Sequence, residues 1–398
     1  MRTLDELTVV RVDQGGPGDA DEFTYIDIGS VDNLSKKIVG PKRVATSVAP
    51  SRAKQTLRAG DVIVSMTRPN LNAVALVPPA LDGAIGSSGF HVLRAHAGVL
   101  PEWLYFGVQT RRFIDAMSDV VQGALYPAVR PRDIRAFSLP VPSVSAQRNV
   151  IDDIETQFSR LEEALANLQR VKANLRRFVS GVLSEAVSGA LTASSKADWQ
   201  TATVADVGDV LLGRRRAPEY ATGAHLRSYL RVANIKDDFI AFDDLESMRF
   251  DDRHLERYEL APGDILVSEG QSPEKLGQSA IFRGYPQPLC FQSTLHRFRA
   301  NPALTSPEFA QIVFRSHVRS GVFRKLGSIT TNIGHLTLEK FKVAPFPLPP
   351  LGEQQKIVAE VERRLSIARG VEAQVEANLK RAQSLRQAVL DKAFAVEA

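Results

Sequence analysis

The chain has 398 residues, 44% apolar and 24% charged, enough for two or three globular domains with sizeable cores. Its single cysteine, Cys290, excludes an intramolecular disulfide and a thiolate zinc cluster, which points to a reducing, cytoplasmic setting. The net charge of +5 suits a polyanionic partner but is too evenly spread to identify one: Lys+Arg against Asp+Glu is 16 to 14 over residues 1–145 and 20 to 18 over 196–350.

The N-terminal MRTLDELTVVRVDQ carries charges early and lacks an apolar core, so no signal peptide is expected. No stretch reaches the roughly 18 apolar residues of a membrane span, and no membrane partner is expected. Residues 1–142 break short apolar runs such as DVIVSM with Gly, Pro, Asn and Asp, the pattern of strands, and carry a helical pattern around 101–117.

Residues 143–192 differ. Ile154, Phe158, Leu161, Leu165, Leu168, Lys172, Leu175, Val179, Val182 and Ala186 alternate spacings of four and three, and only Lys172 is polar. A narrow seam sustained this long beside a charged face predicts a coiled-coil helix. Ser145 is an acceptable N-cap, Gly189 a plausible stop and 192–195 a short linker. About 40 residues at 1.5 Å each would reach roughly 60 Å.

Residues 193–349 return to the mixed pattern, with a strand-like DILVSEG and a helical stretch over 306–325. Residues 350–398 carry a looser seam through Val358, Val361, Leu365, Ala368, Val375, Leu379, Ala382 and Val389, with Glu372 and Arg386 in its gaps and Gly352 as N-cap. The competing reading of both stripes is a helix buried in one large core. Their narrowness and polar outer faces favour helix on helix, as an antiparallel pair with a globule at each end.

The two halves match in order. Tyr25-Ile26 aligns with Tyr229-Leu230, and Gly60-Asp61-Val62-Ile63-Val64-Ser65 with Gly263-Asp264-Ile265-Leu266-Val267-Ser268. His91 aligns with His296, Pro101-Glu102-Trp103 with Pro307-Glu308-Phe309, Pro140-Val141-Pro142 with Pro347-Leu348-Pro349, and Gln147 with Gln354. This is an internal duplication and implies a pseudo-twofold α+β molecule of two mixed globules and two long helices.

Catalytic signatures are missing. There is no GxxxxGK[ST] phosphate loop, no G-x-S-x-G elbow, no HxH or HExxH pair, and neither Pro-Pro is followed by an aromatic as base-flipping amino-methyltransferases require. His91 and His296 recur, but a histidine beside a strand reads first as a satisfied structural residue. The expectation is a non-catalytic protein without metal or cofactor.

PLPPLGEQQKIV at 347–358 and LRQAVLDKAF at 385–394 resemble the central and C-terminal conserved regions of the specificity subunit of type I restriction–modification systems. PVPSVSAQRNVI at 140–151 is a looser version, with Ala146 where the second copy has Glu353, and LRRFVSGVLSEAVSGALT at 175–192 is similar to the end of the first conserved helix. DWQTATVADVGDV at 198–210 and GSITTNIGHLTLEKFKVAPFPLPP at 327–350 are similar to the opening and close of a target-recognition domain; the first globule lacks that tryptophan opening. The resemblance implies that each globule reads one half of a bipartite, asymmetric site in double-stranded DNA. It implies that the helices fix the gap and dock two methyltransferase subunits using S-adenosylmethionine. Restriction/translocase subunits would bring ATP and Mg. A duplicated assembly scaffold without sequence-specific binding, or the recognition part of a fused methyltransferase–nuclease, are the alternatives.

Base edges are read by polar side chains and phosphates mainly by Arg, Lys and backbone amides. Recurring polar loops after strands are therefore the candidates. They are Arg68, Asn70 and Asn72, then Gln122, Tyr126 and Arg130, in the first copy. In the second they are Gln271, Ser272, Lys275 and Gln278, then Thr330, Thr331, Asn332 and His335. Lys36, Lys37, Arg214, Arg215 and Arg216 are candidate phosphate contacts.

Overall fold

A computed structural model describes residues 1–121, 127–192, 198–330 and 332–395. The chain divides into two compact units, residues 1–169 with 376–398, and residues 170–375. Each holds one α+β globule with part of both long helices, α5 (Val144–Ser188) and α11 (Leu351–Ala393). The compact units thus cut across the linear segments 1–142, 143–192, 193–349 and 350–398.

In the first unit the strand Arg2–Thr3 pairs antiparallel with Ser138–Leu139. It leads into α1 (Leu4–Leu7) through a capping box: the Glu6 carboxylate accepts the Thr3 N–H at 2.7 Å and the Thr3 hydroxyl accepts the Glu6 N–H at 3.3 Å. Val62–Ser65 is the middle strand of a three-stranded antiparallel sheet, between Phe90–Leu93 and Val74–Leu76. Val62 and Val64 face a core built with Trp103 and Phe106 of α2 (Pro101–Gly107) and Phe113 of α3 (Arg111–Asp119). Ile63 points the other way, into a second core with Ile26 and Val92. Burial on both faces explains why this strand reads as an unbroken apolar run. A four-stranded sheet orders Lys42–Ala45, Glu22–Ile26, Ile85–Ser87 and Ala53–Thr56, and α4 (Pro131–Ala136) precedes the closing strand.

The second unit repeats this plan. Gln200–Thr203 pairs with Pro345–Leu348, and α6 (Val204–Val207) starts on a Thr203–Asp206 capping box. Ile265–Ser268 lies between Leu295–Ala300 and Ser279–Ile281, with Ile265 and Val267 in one core and Leu266 in another. Tyr229 pairs in parallel with Cys290, as Tyr25 does with Ile85. The halves diverge where Ala53–Thr56 forms a strand in the first and α7 (Asp252–Tyr258) a helix in the second. The helices α8 (Pro307–Ser320), α9 (Val322–Leu326) and α10 (Leu338–Lys342) complete the unit.

Both long helices begin under the same clamp. Gln147, fully buried, accepts the Leu100 N–H at 2.9 Å and donates to the carbonyls of Gly98 (3.0 Å) and Pro142 (2.9 Å). Gln354, equally buried, accepts the Ser306 N–H (3.1 Å) and the Thr305 hydroxyl (3.0 Å), and donates to Leu304 (2.8 Å) and Pro349 (2.9 Å). One amide thus ties each helix start to the segment ahead of α2 or α8. The expected caps lie two residues too far in. The Ser143 hydroxyl, not Ser145, accepts the Ala146 N–H, and Gly352 sits inside the first turn, where Glu353 and Gln354 donate to the Pro350 carbonyl. Gly189, at φ +81°, does end α5.

Within each unit the helix segments run antiparallel. In the first, Ile151, Ile154 and Phe158 share the globule's core with Leu390 and Phe394, the Phe394 ring lies 4.4 Å from Trp103, and the Arg386 guanidinium stacks 4.0 Å over Phe158. In the second, Val182, Leu183 and Ala186 pack with Ile357, Val361 and Leu365, and Arg364 pairs with Glu185 at 3.1 Å. Leu161, Leu165, Leu168, Lys172, Leu175 and Val179 are half-buried. The seam of α5 therefore runs as its periodicity predicts, and its ends are buried in the globule cores. The seam of α11 departs at its start: Ile357 is fully buried and Val358 only half, because the helix faces the globule as well as its partner helix. Arg386 fills its gap by packing inward, whereas Glu372 is exposed.

Candidate nucleic-acid interface

The strands that carry the candidate loops are fixed by a recurring turn. Gly60 and Gly263 adopt φ of +85° and +96°, a left-handed conformation glycine takes without strain. The next residue is a buried aspartate. Asp61 accepts two bonds from the Arg94 guanidinium (2.8 and 2.7 Å) and one from the Arg58 N–H (2.8 Å). Asp264 does the same with Arg299 (2.6 and 2.7 Å) and the Ala261 N–H (2.8 Å). The carboxylate bonds hold both guanidiniums above their ordinary pKa. Bidentate pairing leaves these strands little freedom.

From that frame, two sequence-distant segments meet in each globule. In the first, Thr67 bridges Ala128, the Arg68 N–H donates to the Pro127 carbonyl at 2.8 Å, and the Val129 N–H donates to Met66 at 2.9 Å. Arg68 (φ +49°), Asn70 and Arg130 are exposed on the two segments so joined. In the second, Gly270–Gln271, Ile333–His335 and Ser328–Thr330 form a three-stranded antiparallel sheet. It gathers Gln271, Thr330 and His335, with Asn332 in the connecting turn, and Ser272, Lys275 and Gln278 follow in the turn after Gln271. Lys275, Thr330, Asn332 and His335 are exposed; Gln271, Ser272 and Gln278 are half-buried. Gln122, Tyr126 and Thr331 lie outside the described residues.

Three candidates take structural roles instead. Asn72, 5% exposed and left-handed at φ +46°, donates its amide to the Val108 carbonyl at 2.9 Å. The Lys36 ammonium bonds the Asn72 side chain (3.1 Å) and carbonyl, and burial, with Arg386 nearby, pushes its pKa down to about 8. Arg214, 7% exposed, lies 4.3 Å over the Tyr220 ring and donates to the Arg249 carbonyl. A DNA contact would need each to abandon a buried partner. Lys37, Arg215 and Arg216 stay at the surface, Lys37 3.9 Å from Glu162 and Arg216 3.4 Å from Glu246.

Basic residues outside the sequence candidates adjoin the second cluster. Arg319 and Arg324 line a groove with Lys275 and Gln278, facing Asp237 and Glu274, and Lys340 donates to Ser328 at 2.7 Å. Their signal was the run of Arg315, Arg319, Arg324 and Lys325 along α8 and α9. Of the two recurring histidines, His296 takes a structural place. His296 is fully buried, bonds the Leu336 carbonyl through Nε2 at 2.6 Å, stacks on Phe341 and is held by burial at a pKa of about 4. Burial and Arg135 lower His91 to about 4 as well. Among the described residues no group of three or more His, Cys, Asp or Glu could hold a metal ion, and no helix is long and apolar enough to cross a membrane.

Known proteins resemble this chain in sequence and in fold. The family described as "Type I restriction modification DNA specificity domain" matches residues 196–377. The type I restriction enzyme StySPI specificity subunit of Salmonella potsdam is 26% identical over 311 residues, 76% of this chain and 66% of that protein. The EcoKI specificity subunit of Escherichia coli K12 is 24% identical over 320 residues, 75% of this chain and 68% of that protein. The chain thus matches about two thirds of the length of these curated relatives. The fold is shared with a chain from a structural study of complex assembly and conformational transition of the type I R-M system, at TM-score 0.81 and 24% identity over 98% of this chain and 96% of that one. It is shared less closely with the HsdS subunit from Thermoanaerobacter tengcongensis, at TM-score 0.56, 24% identity, and 98% and 95% coverage.

Proposed function

From the premise that this chain belongs with the DNA-specificity subunits of type I restriction–modification systems, we propose that it is the sequence-reading, non-catalytic subunit of such a complex. Each globule reads one half of a bipartite, asymmetric site in double-stranded DNA. The helices α5 and α11 set the unspecified gap and dock two methyltransferase subunits, which carry S-adenosylmethionine and methylate adenine N6. Restriction/translocase subunits join through the complex with ATP and Mg. The observation that carries this reading is the duplicated pairing of two distant polar segments on an Asp–Arg-braced strand. Readers held this rigidly suit base recognition, which needs side chains placed to within about half an ångström.

Two further observations support it. Half-site readers about one DNA turn apart, roughly 34 Å, need a stiff spacer, and two long helices shared between the units are one. Phe178 and Ile367 are exposed on these helices, apolar surface suited to a protein partner. The test is a base-modification map of the host genome with the gene intact and deleted. Loss of N6-methyladenine from one split, asymmetric motif is expected. An unchanged map, together with binding by the purified complex that shows neither sequence preference nor a steep salt dependence, would leave an assembly scaffold.

A further inference from the structure

The three-stranded sheet of the second unit has one open face. Thr330 stands directly opposite Ile333, and Ser328 opposite His335, so these four side chains share a face. All four are exposed. The other face is covered by Leu276 only around its glycines, where a Cβ on Gly334 would meet that side chain at 3.0 Å and one on Gly327 at 2.5 Å; Ile329, opposite Gly334 on that face, is 45% exposed. The sheet is also firmly mounted. The Leu336 N–H donates to the Glu269 carbonyl at 2.7 Å, and its own carbonyl accepts from buried His296.

A lone exposed isoleucine is ordinary on a protein surface. Ile333, 53% exposed, is set apart by its place, level with the Thr330 hydroxyl and next but one to the His335 imidazole, on a face where a polar residue would cost nothing. Alternate residues of a strand lie about 6.8 Å apart, two base-pair steps, and a two-stranded ribbon fits the roughly 12 Å major groove. Cations for phosphates flank it: Lys340 on Ser328, and Lys275 and Arg324 beside the neighbouring groove. Resting on the DNA-reading function above, we infer that this face is a major-groove ribbon in which Ile333 reads the C5 methyl of a thymine. Thr330 and His335 then bond the edges of neighbouring bases. An aliphatic side chain is the chemistry suited to that methyl, the one apolar group the groove displays.

The test uses the assembled complex. The methylated motif is first mapped in cells carrying the wild-type chain. Duplexes of that site are then compared with versions in which each thymine in turn is replaced by deoxyuracil, which lacks only the methyl group. In the half-site read by the second unit, one replacement should weaken wild-type binding about fourfold, the equivalent of one buried methyl. The Ile333→Ala complex should bind thymine and deoxyuracil equally at that position and keep wild-type ratios across the other half-site. Ile333→Ala retaining every wild-type ratio would overturn the inference, as would a second half-site insensitive to deoxyuracil or free of thymine. A map with no site at all would instead sink the DNA-reading function itself.

Discussion

At the residue scale, the groups that recur in both halves are mostly those that hold the frame. Gln354→Ala would strand the Ser306 N–H and the carbonyls of Leu304 and Pro349 in a dry site. Unsatisfied buried groups cost about 1–3 kcal/mol each, so a net loss of roughly 3 kcal/mol is expected as a fall in denaturant midpoint at constant slope. Lys275→Ala, at an exposed turn, should stay within about 0.5 kcal/mol. His296 gives a pH signature. Its folded pKa, about 4, lies below the ordinary 6.5, so between those values the unfolded chain binds a proton that the folded chain refuses. Its contribution is complete above pH 6.5 and is lost as pH falls toward 4, on the order of 3 kcal/mol in all. Stability measured across that window should fall more steeply in the wild type than in His296→Gln, and parallel curves would contradict it. The repeat exposed Gln147, Gln354 and the Gly-Asp turns in the sequence, but not what they hold. Asn72, Lys36 and Arg214 look like free surface polar residues in the sequence for the same reason. Their partners, Val108, Asn72 itself and Arg249, lie about 35 residues away in sequence, and no local pattern reports such burial.

At the element scale, periodicity was legible wherever one face decided the burial. The α5 seam follows its spacing of four and three from Ile154 to Ala186. The α11 seam slips at Val358 because its first turns answer to two surfaces, the globule around Phe309 and Phe346 and the antiparallel α5. A short sheet such as Gly270–Gln271 with Ile333–His335 and Ser328–Thr330 leaves almost no periodic trace, so the proximity of its polar residues appears only in the fold. Lys172, half-buried, lies on α5 between Phe158, the last residue of the helix in one core, and Val182, the first in the other. Each inserted residue adds about 1.5 Å and turns the helix by about 100°. Four residues inserted beside Lys172 should therefore lengthen α5 by roughly 6 Å and bring its seam back to within about 40°. The mapped motif should keep both half-sites and change the number of unspecified bases between them. Altered half-site bases with an unchanged gap would contradict the spacer role.

At the scale of the whole molecule, the repeat lies in the joints as much as in the globules. Each globule opens on a capping box, Thr3 with Glu6 or Thr203 with Asp206, and pairs its opening strand with the strand that precedes a long helix. Each then grips the first turn of that helix through a buried glutamine, and the closing turns of the other helix pack against the same core. The two seams already imply an antiparallel pair, but not which residues meet across it, because the partners lie 179 positions apart, as Glu185 with Arg364. Matching joints make the globules exchangeable. Replacing residues 1–139 by 198–346, joined before Pro140, should give a chain with two copies of the second reader. The fit is imperfect: Phe394 stands where the second globule normally meets Val187, and overpacking of that kind costs about 1–3 kcal/mol. Phe394→Val should recover part of it. Because each reader would grip one helix start and one helix end in the same way, the site read by this chain should become an inverted repeat of the second half-site, and a modification map would show it directly. A motif still asymmetric, with the original first half intact, would mean that residues 1–139 do not read that half.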